Sequence, residues 1–351
     1  MQRISCVNLN KNAMKKFLFF WLMSLGITLV YSQPRVSLEH NGNTTIFVGN
    51  GAFIEAYNAA VNGDTIFLPG GTFDLTSIYK SLKIYGAGVF PSATTTTGKT
   101  YLNGTLSIME GASDFRLEGV EIMGALNFNT NQSINNVIIK RCKINSDINI
   151  PGSALNATNF SLLESVVLGN INIQNLTTGI FANNIIQGQI NNTEGNLFTN
   201  NVFLYSYCGY YNHIPGFNGN NNLIQNNYFI RDCAQIIGGT ANTFLNNVFI
   251  NNPSGFGTNP TMSGNFFGNL ATDILVNQSG DTFNFDHDYH LKTPASFIGT
   301  DASEVGIYGG SNPFKDQLIP ENPHISVKNI ATSTNTAGEL QVEIKAEAQN
   351  R

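Results

Sequence analysis

Five short segments of the chain share one frame: FANNII at 181–186, FTNNVF at 198–203, IQNNYF at 224–229, FLNNVF at 244–249 and MSGNFF at 262–267. Each has a large apolar residue, a special position three residues on, and a second large apolar residue two beyond that. The same frame fits Leu117, Val120, Ile122; Ile139, Cys142, Ile144; and Leu163, Val166, Leu168. Successive frames start about 17 to 26 residues apart, the period of a solenoid. Early frames are each followed by a second alternating run, ALNFN, DINIP, NINIQ or GQINN. Alternation marks strands, and two strands per repeat with Asn/Gly/Ser turns between them leave no room for a helix. The unit is a β coil, and coils stacked in parallel at about 4.8 Å bury one continuous core. Asn184, Asn201, Asn227, Asn247 and Asn265 then sit at an inward turn, where a side-chain amide donates to one coil and accepts from the other. A catalytic amide row is set aside, because no acid or base stands in register with it.

Composition narrows the classes of function. With 42% hydrophobic residues, 12% charged residues and a net charge of −5, the 351-residue chain is too apolar for disorder, and it carries no basic stripe for nucleic acid or anionic membrane. Met14, Lys15 and Lys16 followed by FLFFWLMSLGITLV read as a secretory leader over residues 1–32, with Met14 as the true start and cleavage before Gln33. The apolar run is shorter than the roughly 20 residues that span a bilayer, so no membrane insertion is expected after cleavage. The expected location is secreted or cell-surface. Three cysteines remain, Cys142, Cys208 and Cys233, with no CxxC or Cys/His spacing for zinc.

The coil frames, together with NGAFIEAYNAAVNGDTIFLPGGTFDL at 50–75 and KSLKIYGAG at 80–88, resemble the secreted bacterial right-handed parallel β-helix proteins of the pectin-lyase-like group. The resemblance implies an all-β, single-stranded right-handed parallel β-helix over residues 33–323, opened by a capping helix near 52–61. Asn50 reads as its N-cap, Phe53, Tyr57 and Ala60 as one face, and Asn62-Gly63 as its stop. DYHLKTPASFIGTDASEVGIYGG at 288–310 resembles the group's closing coil. Residues 324–351 read as a C-terminal β-hairpin that caps the far end. That fold hosts lyases, hydrolases, epimerases and adhesive proteins, so activity has to be argued from residues.

Glycosidases of the group carry NTD, DD, GHG and RIK segments, all absent here, and the acids between 145 and 272 offer no carboxylate pair in register. A polysaccharide lyase acting on uronate-containing polymers uses a cationic base with calcium. Arg231, followed by Asp232, is the only Lys or Arg between Lys143 and Lys292 and hence the weak catalytic candidate under that alternative. The stretch LYSYCGYYNHIPGF after Phe203 holds Tyr205, Tyr207, Tyr210, Tyr211, His213 and Phe217 where other coils turn quickly. Tyrosines suit the CH faces and hydroxyls of sugars, so the 205–217 loop is the candidate carbohydrate-binding segment. Cys208 and Cys233 fall on neighbouring rungs in positions a disulfide would suit. FDHDYH at 285–290 is dense in ligand-type residues but lacks a complete coordination set, so no metal is assigned, and no cofactor beyond calcium for the lyase alternative. The expectation is an exported, non-catalytic solenoid that contacts polysaccharide.

Overall fold

The computed structural model describes residues 33–128, 133–151, 157–205, 216–230, 235–250 and 255–348. Each coil visits three sheets in turn, which hold 12, 9 and 8 strands among the described residues and are parallel except where Arg35–His40 and Asn43–Val48 join the first sheet antiparallel. One coil shows the scheme: Ile180–Ala182 lies in the first sheet, Ile185–Ile186 in the second and Ile190–Glu194 in the third. Inward residues stack rung on rung. Phe181 pairs with Phe198, which pairs with Ile224, then Phe244 and Met262. On the second sheet Phe203, Phe229, Phe249 and Phe267 form a column of parallel rings 4.6–5.4 Å apart.

The Asn-Asn pairs occupy the corner between the first and second sheets. The first residue of each pair, Asn183, Asn200, Asn226 or Asn246, has φ between 50° and 57°. Asparagine tolerates that left-handed conformation better than most side chains, so the turn selects it. The second residue points inward. Its Oδ1 accepts both the backbone N–H and the Nδ2–H of the preceding rung's asparagine, and its own Nδ2 donates to a carbonyl of that rung: Asn227 accepts from Asn201 at 2.9 and 3.0 Å and donates to Phe198 O at 2.9 Å. The row runs from Asn184 through Asn201, Asn227 and Asn247 to Asn265.

One frame departs from the sequence alignment. Leu162, not Leu163, pairs with Phe181, and the residue that meets the amide row is Ser165, whose N–H donates to Asn184 Oδ1 at 2.9 Å. Val166 instead faces outward, although it is buried. The reason is that the second sheet is covered on both faces, so SLLESVVL is apolar at both parities and alternation cannot fix its register. The runs read only as strands also carry an outward amide row, with Asn149 donating to Asn127, Asn172 to Asn149 and Asn191 to Asn172 at 2.8–3.0 Å.

The helix near the start spans Ala52–Ala59 and buries Ala52, Phe53, Ala56 and Tyr57 against the first coils. Its N-cap is Gly51 rather than Asn50, and no side chain caps it. The chain leaves the helix at Ala60, before Asn62-Gly63.

The far half of the chain corrects two expectations. Asp288–Leu291 is not a closing coil but pairs antiparallel with Leu275–Asn277. Ile274, Leu275, Tyr289 and Leu291 pack on the outward face of the second sheet, on Val166, Ile185, Val202, Tyr228 and Val248. From there residues 298–321 return as a strap along the Asn corner. Asn246 donates to Ile298 O, Asn226 to Thr300 Oγ1, Asn200 to Glu304 O and Gly306 O, and Asn183 to Ile307 O and Gly309 O, all at 2.7–3.3 Å. The strap ends on a cluster of three acids and three bases. Arg141 Nε lies 2.7 Å from Glu164 and its Nη1 donates to Ile319 O, while Glu321 joins Lys140 and Arg116, and Glu118 accepts from Arg116 and from the Glu321 N–H. The hairpin of His324–Ile330 and Val342–Glu347 therefore follows a segment anchored on early coils, and Thr96 Oγ1 donates to Ser326 O. It does not cap the far end.

Candidate functional site

Where the returning chain crosses the second sheet it encloses a pocket of about 250 Å3. The sheet floor contributes Ile185, and the loop after the first coils contributes Phe90 and Ser92. The largest share of the lining, five residues, comes from the segment flagged in the sequence as FDHDYH, with Tyr308, Phe314 and Asp316 from the strap. Three rings, Phe90, Phe283 and Phe285, pack edge to face with centroids 4.7–6.3 Å apart. The N–H of Phe283 donates to Gln187 Oε1 at 2.9 Å and ties this apolar wall to the solenoid.

The polar side of the pocket is a chain of paired groups. Asp288 Oδ1 accepts from the backbone N–H of His290 at 3.0 Å and lies 2.7 Å from its Nδ1. The His290 ring stacks on Tyr308 at 3.6 Å with 10° between planes, and the Tyr308 hydroxyl donates to Asp316 at 2.8 Å. His287 Nδ1 sits 3.3 Å from the Tyr289 hydroxyl. Desolvation works to raise the Asp288 carboxyl, but the His290 backbone and imidazole outweigh it and hold the group below its ordinary value. Burial, with Asp316 beside it, pushes the Tyr308 phenol up, so it stays a neutral donor across the physiological range. Strand alternation accounts for the split: Asp288 and His290 face the pocket side half-exposed, while Tyr289 and Leu291 are buried between them and the sheet.

Behind Phe285 stand Lys99 and Lys143, with Nζ 5.2 and 5.8 Å from its ring centroid. Both lysines bond Glu121, at 2.6 and 2.8 Å, and Asn145 also donates to that carboxylate. Two cations on one acid leave a positive bias at this wall.

Of the sequence candidates, Tyr207, Tyr210, Tyr211, His213, Arg231 and Asp232 lie outside the described residues, as do Cys208 and Cys233 and the leader over 1–32. Tyr205 is half-buried beside Leu204, a member of the apolar layer that includes Ile185 and Tyr289. Phe217 is not a loop residue: it pairs with Ile190 in the third sheet and packs edge-on against Phe198 at 4.8 Å, because the apolar parity of that strand extends to it. Cys142 is free and fully buried, and burial pushes its thiol up to about 12. Among the described residues no group of three or more His, Cys, Asp or Glu is arranged to hold a metal ion, so the calcium of the lyase reading has no ligand set among them. Among the described residues no helix is long and apolar enough to cross a membrane. Sequence reasoning missed Phe90, Tyr308 and Asp316; the one usable signal was the density of aromatic residues from 283 onward, outside any coil frame. Compared with protein-family models, with curated proteins and with solved structures, the chain matches none.

Proposed function

We propose that the chain is an exported, non-catalytic β-solenoid of the extracellular space or cell surface that binds a polysaccharide on its flank, at the aromatic pocket over the second sheet. The observation that carries this reading is the His290–Tyr308 stack set beside the Phe90, Phe283 and Phe285 wall, with carboxylates and imidazoles in the same pocket. Sugar rings present CH faces to aromatic rings and hydroxyls to such polar groups. The leader pattern over 1–32 supports export, and the resemblance to pectin-lyase-like β-helix proteins supports an extracellular carbohydrate partner. In this reading the 205–217 loop, with Tyr205, Tyr207, Tyr210, Tyr211 and His213, is a second carbohydrate-binding segment.

The test is retention on a glycan array and titration against the polysaccharides retained. Tyr308→Ala is expected to weaken binding by about tenfold, about 1.4 kcal/mol, with melting temperature followed in parallel. Equal retention by Tyr308→Ala, Phe285→Ala and Tyr210→Ala would remove the proposal. Ultraviolet-absorbing unsaturated products from uronate polysaccharide with calcium, lost in Arg231→Ala, would replace it with a lyase.

A further inference from the structure

The two ends of the solenoid are finished differently. At the start, the helix Ala52–Ala59 lies over the first coils with Ala52, Phe53, Ala56 and Tyr57 at most 5% exposed. At the other end nothing among the described residues plays that part. The first sheet stops on Thr261–Ser263, the third on Gly255–Thr258 and the second on Val248–Phe249, bridged to Phe266. The core columns run out into solvent there: Met262, last of the Phe181 column, is 39% exposed, Phe267, last of the ring column, 38%, and Leu270 just beyond it 54%. Asn265 ends the amide row. The hairpin that would have covered this end lies with the early coils instead.

An open β edge with an apolar centre is a template for association, and proteins usually guard such edges with charge. Here the guard is missing: residues 234–272 contain no Asp, Glu, Lys, Arg or His. A partner of opposite charge has nothing to read on this surface, and two copies of it do not repel. The opposite end is sealed by its helix, so a head-to-tail stack lacks its second face. What remains is a surface that meets itself, the condition for a closed two-fold pair.

We infer that two copies of this chain join tail to tail through the uncapped last coil, with Met262, Phe267 and the edge Thr261–Ser263 at the contact. The dimer buries the exposed cross-section of both cores and pairs the outermost strands. It leaves both flank pockets free, since none of their lining residues lies at the contact, and it rests on nothing in the functional proposal.

The experiment uses the chain from Gln33 onward. Sedimentation equilibrium is expected to give twice the chain mass, and hydrogen exchange to show protection of amides 255–270 that grows with protein concentration. The double variant Thr261→Lys, Met262→Lys places two cations at the edge; both side chains are exposed, so the coil tolerates them, and circular dichroism checks that it does. It is expected to sediment as a monomer and to lose the concentration-dependent protection. A wild-type monomer at every concentration, a dimer that survives the double variant, or an open filament would each overturn the inference.

Discussion

At the scale of the residue, the repeated Asn-Asn pair divides two tasks between identical side chains. The first asparagine holds a left-handed corner and reaches outward to the strap; the second turns inward and ties its coil to both neighbours. The two are therefore not interchangeable. Asn227→Ala removes an amide buried in the core and strands the N–H groups of Asn201 and the carbonyl of Phe198. A loss of roughly 2–4 kcal/mol is expected in urea denaturation, because each stranded buried group costs about 1–3 kcal/mol. Asn226→Gly keeps the corner conformation open and gives up only the bonds to Thr300, so its loss is expected to be the smaller of the two. A larger loss for the glycine variant would contradict this division. In the earlier coils the same corner holds Arg141 and Glu164, at φ 50° and 46°; the two are paired with each other, Glu164 also with Lys140, and Arg141 is bonded to the strap.

At the scale of the element, the strap converts a row of corners into a seam. It leaves no room for a side chain at Gly119, where φ is 70° and an added Cβ would lie 2.3 Å from Pro320 Cγ. Gly119→Ala is expected to lift the strap near Ile319 and Pro320, beyond the 1–2 kcal/mol that a left-handed alanine costs by itself. Limited proteolysis should then cut within 298–321 much faster than in the parent, with the β-sheet dichroism kept. The contrast between coil and strap also explains what could be read from the sequence. Coil frames such as Phe198, Asn201, Phe203 are legible because strand parity and a short period fix them locally. The frame at 162–167 slipped by one residue where both faces of a strand are covered. The strap was not legible, since it offers its own backbone carbonyls to asparagines such as Asn183 and Asn200 more than a hundred positions away, and no side-chain pattern marks a carbonyl. The pocket falls between these cases: FDHDYH announced a polar cluster, while Phe90 and Tyr308 reach it only through the fold.

At the scale of the whole molecule, two groups of ion pairs fasten the flanks, and they set a direction for pH dependence. Burial works to raise the Glu121 carboxyl, but the bonds from Lys143, Lys99 and Asn145 prevail and hold it below its ordinary 4.5; Glu321 is lowered against burial in the same way by Lys140 and Arg116. A carboxyl depressed in the folded state contributes stability that is fully present above its unfolded value and is lost as pH falls through the folded one. The melting temperature is accordingly expected to hold from neutrality to about pH 5 and to fall steadily below about 4.5. Glu121→Gln should begin from a lower melting temperature and show a shallower fall; an unchanged acid slope would show that this carboxyl does not govern it. The seam has one more consequence, in the order of assembly. Rung contacts join residues about 20 positions apart, so each coil has its partner soon after it is made. The strap's bonds span 124 positions at Asn183 and 178 at Arg141, and the hairpin's bond from Thr96 spans 230. Contacts of such separation form slowly and last. A growing chain can thus wind its coils in sequence while its side lies open, and the strap, made more than a hundred residues after the coils it binds, locks that side shut.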